Sequence, residues 1–104
     1  MAAPLPTLSP EDRAAALEKA LVVRRERAEL KRRMKAREVT ASEALADPVA
    51  AGLKVSEFLR SMPGVGTARA QRIMVDYGFQ PNRRIGGLGV RQAEVMAEIA
   101  RKHS

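Results

Sequence analysis

Residues 59–70 combine amino-acid types that favour binding to a phosphate group. An apolar stretch ends there at Pro63-Gly64-Val65-Gly66, and small residues follow, which is the pattern of a helix–hairpin–helix. The two glycines allow a tight turn and leave no side chains in the way of a ligand. We expect the amides of residues 64–68 to point outward at the positive end of the next helix, where a phosphate oxygen can accept from them. Val65 is predicted to anchor the turn in the core.

A second glycine-rich segment carries two adjacent arginines. Arg83 and Arg84 precede three glycines within residues 86–89, and a flexible loop of this kind brings arginine to phosphates or into a minor groove. Taken alone, the segment fits a solvated surface loop equally well. The hairpin taken alone also fits a structural turn between two helices.

The N-terminal part of the chain supplies a further basic surface. Residues 24–37 contain eight basic and two acidic side chains, and Arg outnumbers Lys 14 to 5 in the whole chain. This excess of arginine favours contacts with phosphates and DNA grooves over the alternative, a merely solvated helix face. The residues predicted to contact nucleic acid are Gly64, Val65, Gly66, Thr67, Ala68, Arg69, Arg72, Arg83, Arg84, Arg32, Arg33 and Lys35.

Helix signals and the absence of alternating apolar residues predict an all-α fold. Ser9 is a typical N-cap, with proline at the first helical position and acids in the first turn. No glycine or proline follows before about Arg37, so a long basic helix is predicted over residues 9–38, after a flexible arm at residues 1–8. A helix of this length measures about 42 Å, and part of it must project from so small a domain.

Residues 40–104 are predicted to form a small domain of about four helices. Apolar residues at i, i+3, i+4 and i+7 give its two central helices a buried face, which includes Tyr77. Gly78 is expected to end a helix in the left-handed conformation, with Phe79 folded back as its apolar partner. The first of these helices is predicted to begin at Thr40 and to end before Pro48. The other three are predicted over residues 54–62, 67–77 and 90–101.

The composition restricts the possible functions. The chain has 104 residues and a net charge of +7, and its isoelectric point near 10.8 makes nucleic acid the first partner to consider. Without cysteine, disulfides, thiol catalysis and Cys-ligated metals are excluded. The single histidine, His103, lies near the C-terminus, so no metal or other cofactor is predicted. No apolar run approaches the ~20 residues of a membrane span, and the N-terminus does not resemble a signal peptide. A cytoplasmic protein is expected.

An enzymatic role is not predicted. Some DNA glycosylases contain a helix–hairpin–helix, but they need a catalytic lysine or aspartate in a pocket large enough for a base. Lys54 and Asp76 are the candidates near the hairpin. The chain has too little apolar material to enclose such a pocket.

Taken together, five blocks of the sequence closely resemble the actinobacterial integration host factor family. The resemblance implies a long N-terminal helix followed by a helix–two-turns–helix domain, similar to one in a small-subunit ribosomal protein. It also implies a monomeric, nucleoid-associated protein that binds double-stranded DNA with little sequence preference and alters its shape. Such proteins support phage integration, in a complex of integrase and DNA, and influence transcription, and no small-molecule substrate is implied. The blocks are Leu8–Ala20, residues 24–31, Lys54-Val55-Ser56, Pro63–Gly66 and Arg83–Gly89.

Two positions depart from the family pattern. Thr67 stands where relatives commonly have lysine, and Gly86 stands where they commonly have arginine. The hairpin therefore offers a hydroxyl in place of one cation, and the second loop carries one cation fewer. We expect this loop to lie at the far end of the domain from the N-terminal helix and to hold DNA at a second point. The matching residues are Gly64, Val65, Gly66, Arg69, Arg83 and Arg84.

The physics of phosphate recognition leaves a second function open. The two-turn fold also serves ribosomal RNA, and contacts with phosphates do not distinguish one duplex from another. An RNA-binding or ribosome-associated protein is therefore the alternative to a DNA-binding protein.

Overall fold

Residues 9–103, which are the residues that the computed structural model describes, form α-helices joined by short turns and contain no strand. The predicted all-α fold is confirmed. The predicted arm at residues 1–8 lies outside the described residues. The elements are α1 (Pro10–Lys35), α2 (Ala41–Ala46), a first 3₁₀ turn (Pro48–Gly52), α3 (Val55–Ser61), α4 (Thr67–Tyr77), a second 3₁₀ turn (Ile85–Gly87) and α5 (Val90–Lys102).

The long helix α1 projects from the rest of the structure. It begins with a capping box, in which the Ser9 hydroxyl accepts from the Asp12 amide and the Asp12 carboxylate accepts from the Ser9 amide. All residues from 10 to 26 are exposed, and Leu30 and Met34 are the buried residues of α1. Only the second half of α1 is therefore packed on the domain. None of the described helices combines the length and the apolar character needed to cross a membrane.

The C-terminus of α1 lies three residues before the predicted end at residue 38. Arg37 adopts the left-handed conformation with a φ of 61°. Its amide donates to the Met34 carbonyl at 3.1 Å, and the Glu38 amide donates to the Arg33 carbonyl at 2.9 Å. These two hydrogen bonds form a Schellman motif, which closes a helix and turns the chain away. The motif usually contains glycine, and its absence here explains why the sequence pattern placed the helix end too late.

The first 3₁₀ turn is an element that the sequence patterns did not predict. α2 ends at Asp47-Pro48 as expected, because a residue before proline is disfavoured in a helix. The Asp47 carboxylate then accepts from the Val49 amide at 2.9 Å and starts the turn at Pro48–Gly52. The segment buries Ala50 completely and positions Leu53 in the core.

Helix α3 lies at the centre of the core. Val55, Phe58 and Leu59 on its buried face are fully inaccessible, and α3 packs against both α1 and α4. The helix α5 completes the core with Met96, Ile99 and Ala100 and packs against α2. This arrangement holds the N-terminus of α4 beside the second half of α1.

The predicted burial of Tyr77 is wrong, whereas the predicted end of α4 is confirmed. Gly78 is left-handed, and the Phe79 amide donates back to the Met74 carbonyl at 2.8 Å. Phe79 and Met74 are both buried, so Phe79 occupies the apolar space at the end of α4. Tyr77 is displaced toward solvent and is 50% exposed.

Candidate nucleic-acid interface

The hairpin between α3 and α4 is built on one left-handed glycine and one buried valine. Gly64 has a φ of 78°, and the Val65 amide donates to the Met62 carbonyl at 3.1 Å. The Val65 side chain is 2% exposed, which confirms that it anchors the turn. Val65 therefore uses both its side chain and its amide inside the protein, and its contact with nucleic acid stays a prediction.

The first turn of α4 presents free hydrogen-bond donors to solvent. The first amides of a helix have no acceptor within the helix, and Gly66 provides no side chain to cap them. Among the described residues, the amides of Thr67, Ala68 and Arg69 donate to no protein group. Together with the partial positive charge at a helix N-terminus, they form a site at which an anion can accept several hydrogen bonds.

An open groove of about 510 Å³ joins these amides to basic side chains. We call it the hairpin groove. Its walls are the second half of α1, the end of α3 and the hairpin itself. It brings together Gly66, Thr67 and Lys35, which the sequence predicted as contacts, and it adds Lys31 and Arg60, which the sequence patterns did not single out. An anion at the start of α4 would therefore be flanked by cations from two other helices.

The spacing of cations along α1 is the signal that identifies this face. Arg24, Arg27, Lys31 and Lys35 recur every three or four residues and therefore lie along one side of a helix. The structure turns this side toward the hairpin and the second loop. The prediction named Arg32, Arg33 and Lys35, which stand close together in the basic second half of the helix. Successive helical residues point in different directions, so a periodicity argument is needed to select the side that faces the hairpin.

Arg32 lies at the edge of the hairpin groove but is already paired. Its guanidinium donates to the Glu29 carboxylate, at 2.7 Å for the closest atoms, and to the Glu38 carboxylate at 2.9 Å. The hydrogen bond from Arg32 lowers the pKa of Glu29, and the two carboxylates raise the pKa of Arg32. Because Glu38 belongs to the turn that ends α1, Arg32 fastens this turn to the helix, and its charge is largely compensated.

Arg33 lies outside the hairpin groove. It lines a different groove of α1 together with Asp47 and Val49, and its Nε is 3.8 Å from the Glu38 carboxylate. The structure therefore does not bring Arg33 together with the hairpin. Ala68, Arg69 and Arg72 are exposed on α4, and among the described residues the two arginine side chains form no ion pair.

The second loop, which contains Arg83 and Arg84, folds back onto the start of α3. The Val55 amide donates to the Arg83 carbonyl at 2.8 Å, and the Ile85 amide donates to the Leu53 carbonyl at 2.9 Å. These bonds form an isolated antiparallel bridge between Lys54 and Arg84. Lys54 provides no side-chain cap for α3, so the loop carbonyl supplies an acceptor that this helix needs.

This pairing contradicts the expectation that the second loop lies far from the N-terminal helix. The Arg84 guanidinium donates to the Gly52 carbonyl at 2.7 Å, whereas Arg83 donates to Gly87 within the loop. Arg84 then borders a cleft of about 330 Å³ whose opposite wall is α1. We call this the second cleft. Its lining residues are Arg24, Arg27, Lys31, Lys54, Glu57 and Arg84.

Close packing of the two 3₁₀ turns explains why position 86 is a glycine. A Cβ atom at Gly86 would lie 2.9 Å from the Cβ of Ala51 and 3.1 Å from its carbonyl oxygen. The second 3₁₀ turn is thus pressed against the first. An arginine at this position would require the two turns to separate. The glycine therefore allows the turns to pack closely, and the loop has one cation fewer than in relatives with arginine here.

Comparison with known proteins gives consistent matches over most of the chain. Residues 30–99 match the family of S13-like H2TH domains. The chain is 48% identical over 92 residues to Integration host factor of Streptomyces coelicolor, which covers 85% of this chain and 86% of the relative. It is 45% identical over 98 residues to Integration host factor of Mycobacterium tuberculosis, and this match covers 90% of this chain and 93% of the relative. A solved structure of sIHF bound to an 8-base-pair palindromic DNA is similar, with a TM-score of 0.70 and 40% identity over 84% of this chain and 99% of that chain.

The two hairpin glycines should differ in their tolerance of a side chain. A Cβ atom at either position would have open space around it, with nothing within 4 Å, but only Gly64 is left-handed. Gly64→Ala should therefore lower the free energy of unfolding by about 1–2 kcal/mol. In Gly66→Ala, the weaker N-cap and the smaller entropy of the unfolded chain should offset each other to within about 0.5 kcal/mol. Urea denaturation of both variants measures this difference, and equal losses of stability would contradict the assignment.

Proposed function

Because the chain belongs to the actinobacterial integration host factor family, we propose that it is a nucleoid-associated protein that binds double-stranded DNA through backbone phosphates. The family consists of architectural proteins rather than enzymes. The observation that carries the proposal is the set of free amides at the start of α4, which open into a groove lined by Lys31, Lys35 and Arg60. The DNA in the similar sIHF structure supports the choice of partner.

The chemistry of the hairpin groove favours binding without sequence preference. A phosphate at the start of α4 accepts from backbone amides, and the flanking lysines and arginine compensate its charge. Contacts with phosphates fix the position of a duplex and carry no sequence information. Side chains that read bases need to reach into a groove, and Val65 at the tip of the hairpin is buried instead. We therefore expect similar affinity for duplexes of different sequence.

The second cleft gives the proposed DNA-binding surface a second point of contact. It lies along the same side of α1 as the hairpin groove, and Lys31 borders both. Two contacts from one chain can bend a duplex or join two duplexes, so a monomer is sufficient for DNA shaping. We extend the proposal to DNA compaction and, through DNA shape, to the support of phage integration beside the integrase and to effects on transcription.

Binding should depend strongly on salt. If about five phosphates are neutralised by the hairpin amides and the cations around them, the slope of log affinity against log salt concentration is on the order of −4 to −5. Fluorescence anisotropy with a short labelled duplex between moderate and high salt measures this slope, and a slope near zero would contradict the proposal. Competition at fixed salt with duplex RNA of the same length is the companion test. RNA that competes better than DNA would favour the RNA-binding alternative.

A negative charge at the hairpin should weaken DNA binding. Gly66 has extended backbone geometry and open space around it, so Gly66→Glu fits the fold and places a carboxylate where the phosphate is expected. Affinity should fall at least tenfold, which corresponds to about 1.4 kcal/mol. Gly66→Ala is the matched control, because it adds a Cβ without charge. The helical circular dichroism of both variants should match that of the parent, and unchanged affinity of Gly66→Glu would return the hairpin to a purely structural role.

Removal of the two loop arginines should affect DNA shape more than affinity. The double variant Arg83→Ala, Arg84→Ala should weaken binding by about 1–3 kcal/mol. At concentrations that restore saturation, the DNA bend angle measured by energy transfer between labelled ends should still be reduced. The control is Arg91→Ala, Arg101→Ala, which removes the same charge from α5. If the loop variant at saturation bends DNA as the parent does, the two loop arginines have no part in DNA shaping.

A further inference from the structure

The surface proposed to face DNA contains an acidic side chain at its centre. Glu57 on α3 borders both the hairpin groove and the second cleft. Of the described residues that line these two cavities, Glu57 is the one acidic residue in each, and every other charged residue there is a lysine or arginine. It is also half-buried, so its position is defined by the packing of α3 against α1.

Among the described residues, the carboxylate of Glu57 forms no ion pair. Other acids of the chain do form ion pairs, as Glu29 and Glu38 do with Arg32 and as Glu98 does with Arg101. Among the described residues, Glu57 has no basic nitrogen within 4 Å and accepts no hydrogen bond through its side chain. Only its backbone carbonyl is engaged, by the Ser61 hydroxyl at 2.7 Å. Its negative charge therefore acts on whatever anion enters the neighbouring cavities.

We propose that Glu57 limits the affinity of the protein for DNA and keeps the hairpin groove and the second cleft apart as two separate phosphate-binding surfaces. The proposal rests on the proposed function. A carboxylate repels a phosphate at close range, and the repulsion is strongest at a site that is partly shielded from water. A continuous row of phosphates along α1 would have to pass Glu57, so the two surfaces are best occupied by phosphates that lie on either side of it.

This arrangement has a consequence for how the protein leaves DNA. Lys31 on α1 and Glu57 on α3 both border the two cavities. Without the carboxylate, the cations of the two cavities would form one uninterrupted positive surface. With it, each phosphate contact forms against a fixed repulsion, and the same repulsion favours its dissociation. Architectural binding of this kind remains readily reversible, because repulsion in the complex accelerates dissociation.

The test compares two variants that change the net charge equally. Glu57→Gln keeps the size of the side chain and removes its charge. Glu94→Gln makes the same change on α5, where Glu94 borders a groove shared with α2 and outside both cavities. In anisotropy titrations at one salt concentration, we expect Glu57→Gln to bind a short duplex about fivefold more tightly than the parent, and Glu94→Gln to change affinity less than about twofold. Glu57→Lys should bind more tightly still.

The outcomes separate this inference from the function on which it rests. Equal affinities for Glu57→Gln and Glu94→Gln would overturn the inference, since net charge alone would then explain both. Weaker binding by Glu57→Gln, with unchanged thermal unfolding, would also overturn it and would make Glu57 a residue that positions the neighbouring cations. The proposed function fails on a different result, namely absent DNA binding by the parent.

Discussion

The amide groups at the start of a helix need acceptors, and this chain satisfies that need differently at two neighbouring helices. At α3 the amides of Val55 and Ser56 donate to the carbonyls of Arg83 and Pro81. Two amides at the start of this helix therefore have acceptors, and the second loop is held against it. At α4 the corresponding amides remain free beside Gly66. The same physical requirement thus fixes the position of a basic loop at one helix and leaves a binding site for an anion at the next.

The attachment of α1 decides which of its many cations belong to the proposed interface. Leu30 and Met34 hold the second half of the helix against α3 and the first 3₁₀ turn. That contact orients Lys31 and Lys35 toward the hairpin, whereas Arg33 faces another groove. The exposed part of α1, residues 10–26, contains four basic and four acidic residues and therefore adds no net charge, so the attraction of this helix to DNA comes from its second half.

Charge compensation within the basic surface is as important as the number of cations. Arg32 forms hydrogen bonds with two carboxylates and thereby stabilises the turn that follows α1, although its sequence position suggested a phosphate contact. Glu57 introduces the opposite charge at the boundary between the two cavities. A net charge of +7 therefore describes attraction to DNA at long range. Contact at short range depends on a smaller group of residues that no composition identifies.

The sequence by itself determined the features that depend on neighbouring residues. The N-cap at Ser9, the helix start at Thr40, the left-handed Gly78 and the anchored Val65 are all recognisable because each interaction spans no more than a few residues. These signals were sufficient for the all-α fold and for the hairpin.

Only the tertiary structure decided which side chains share a surface. Arg84 borders a cleft opposite α1 because backbone pairing joins residues that are thirty positions apart, and Tyr77 is exposed whereas the neighbouring Phe79 is buried. The contacts of Lys31, Arg60 and Glu57 depend on the angle at which α1 crosses α3. Burial of apolar side chains sets that angle, and such packing is a property of the whole core that no local sequence pattern contains.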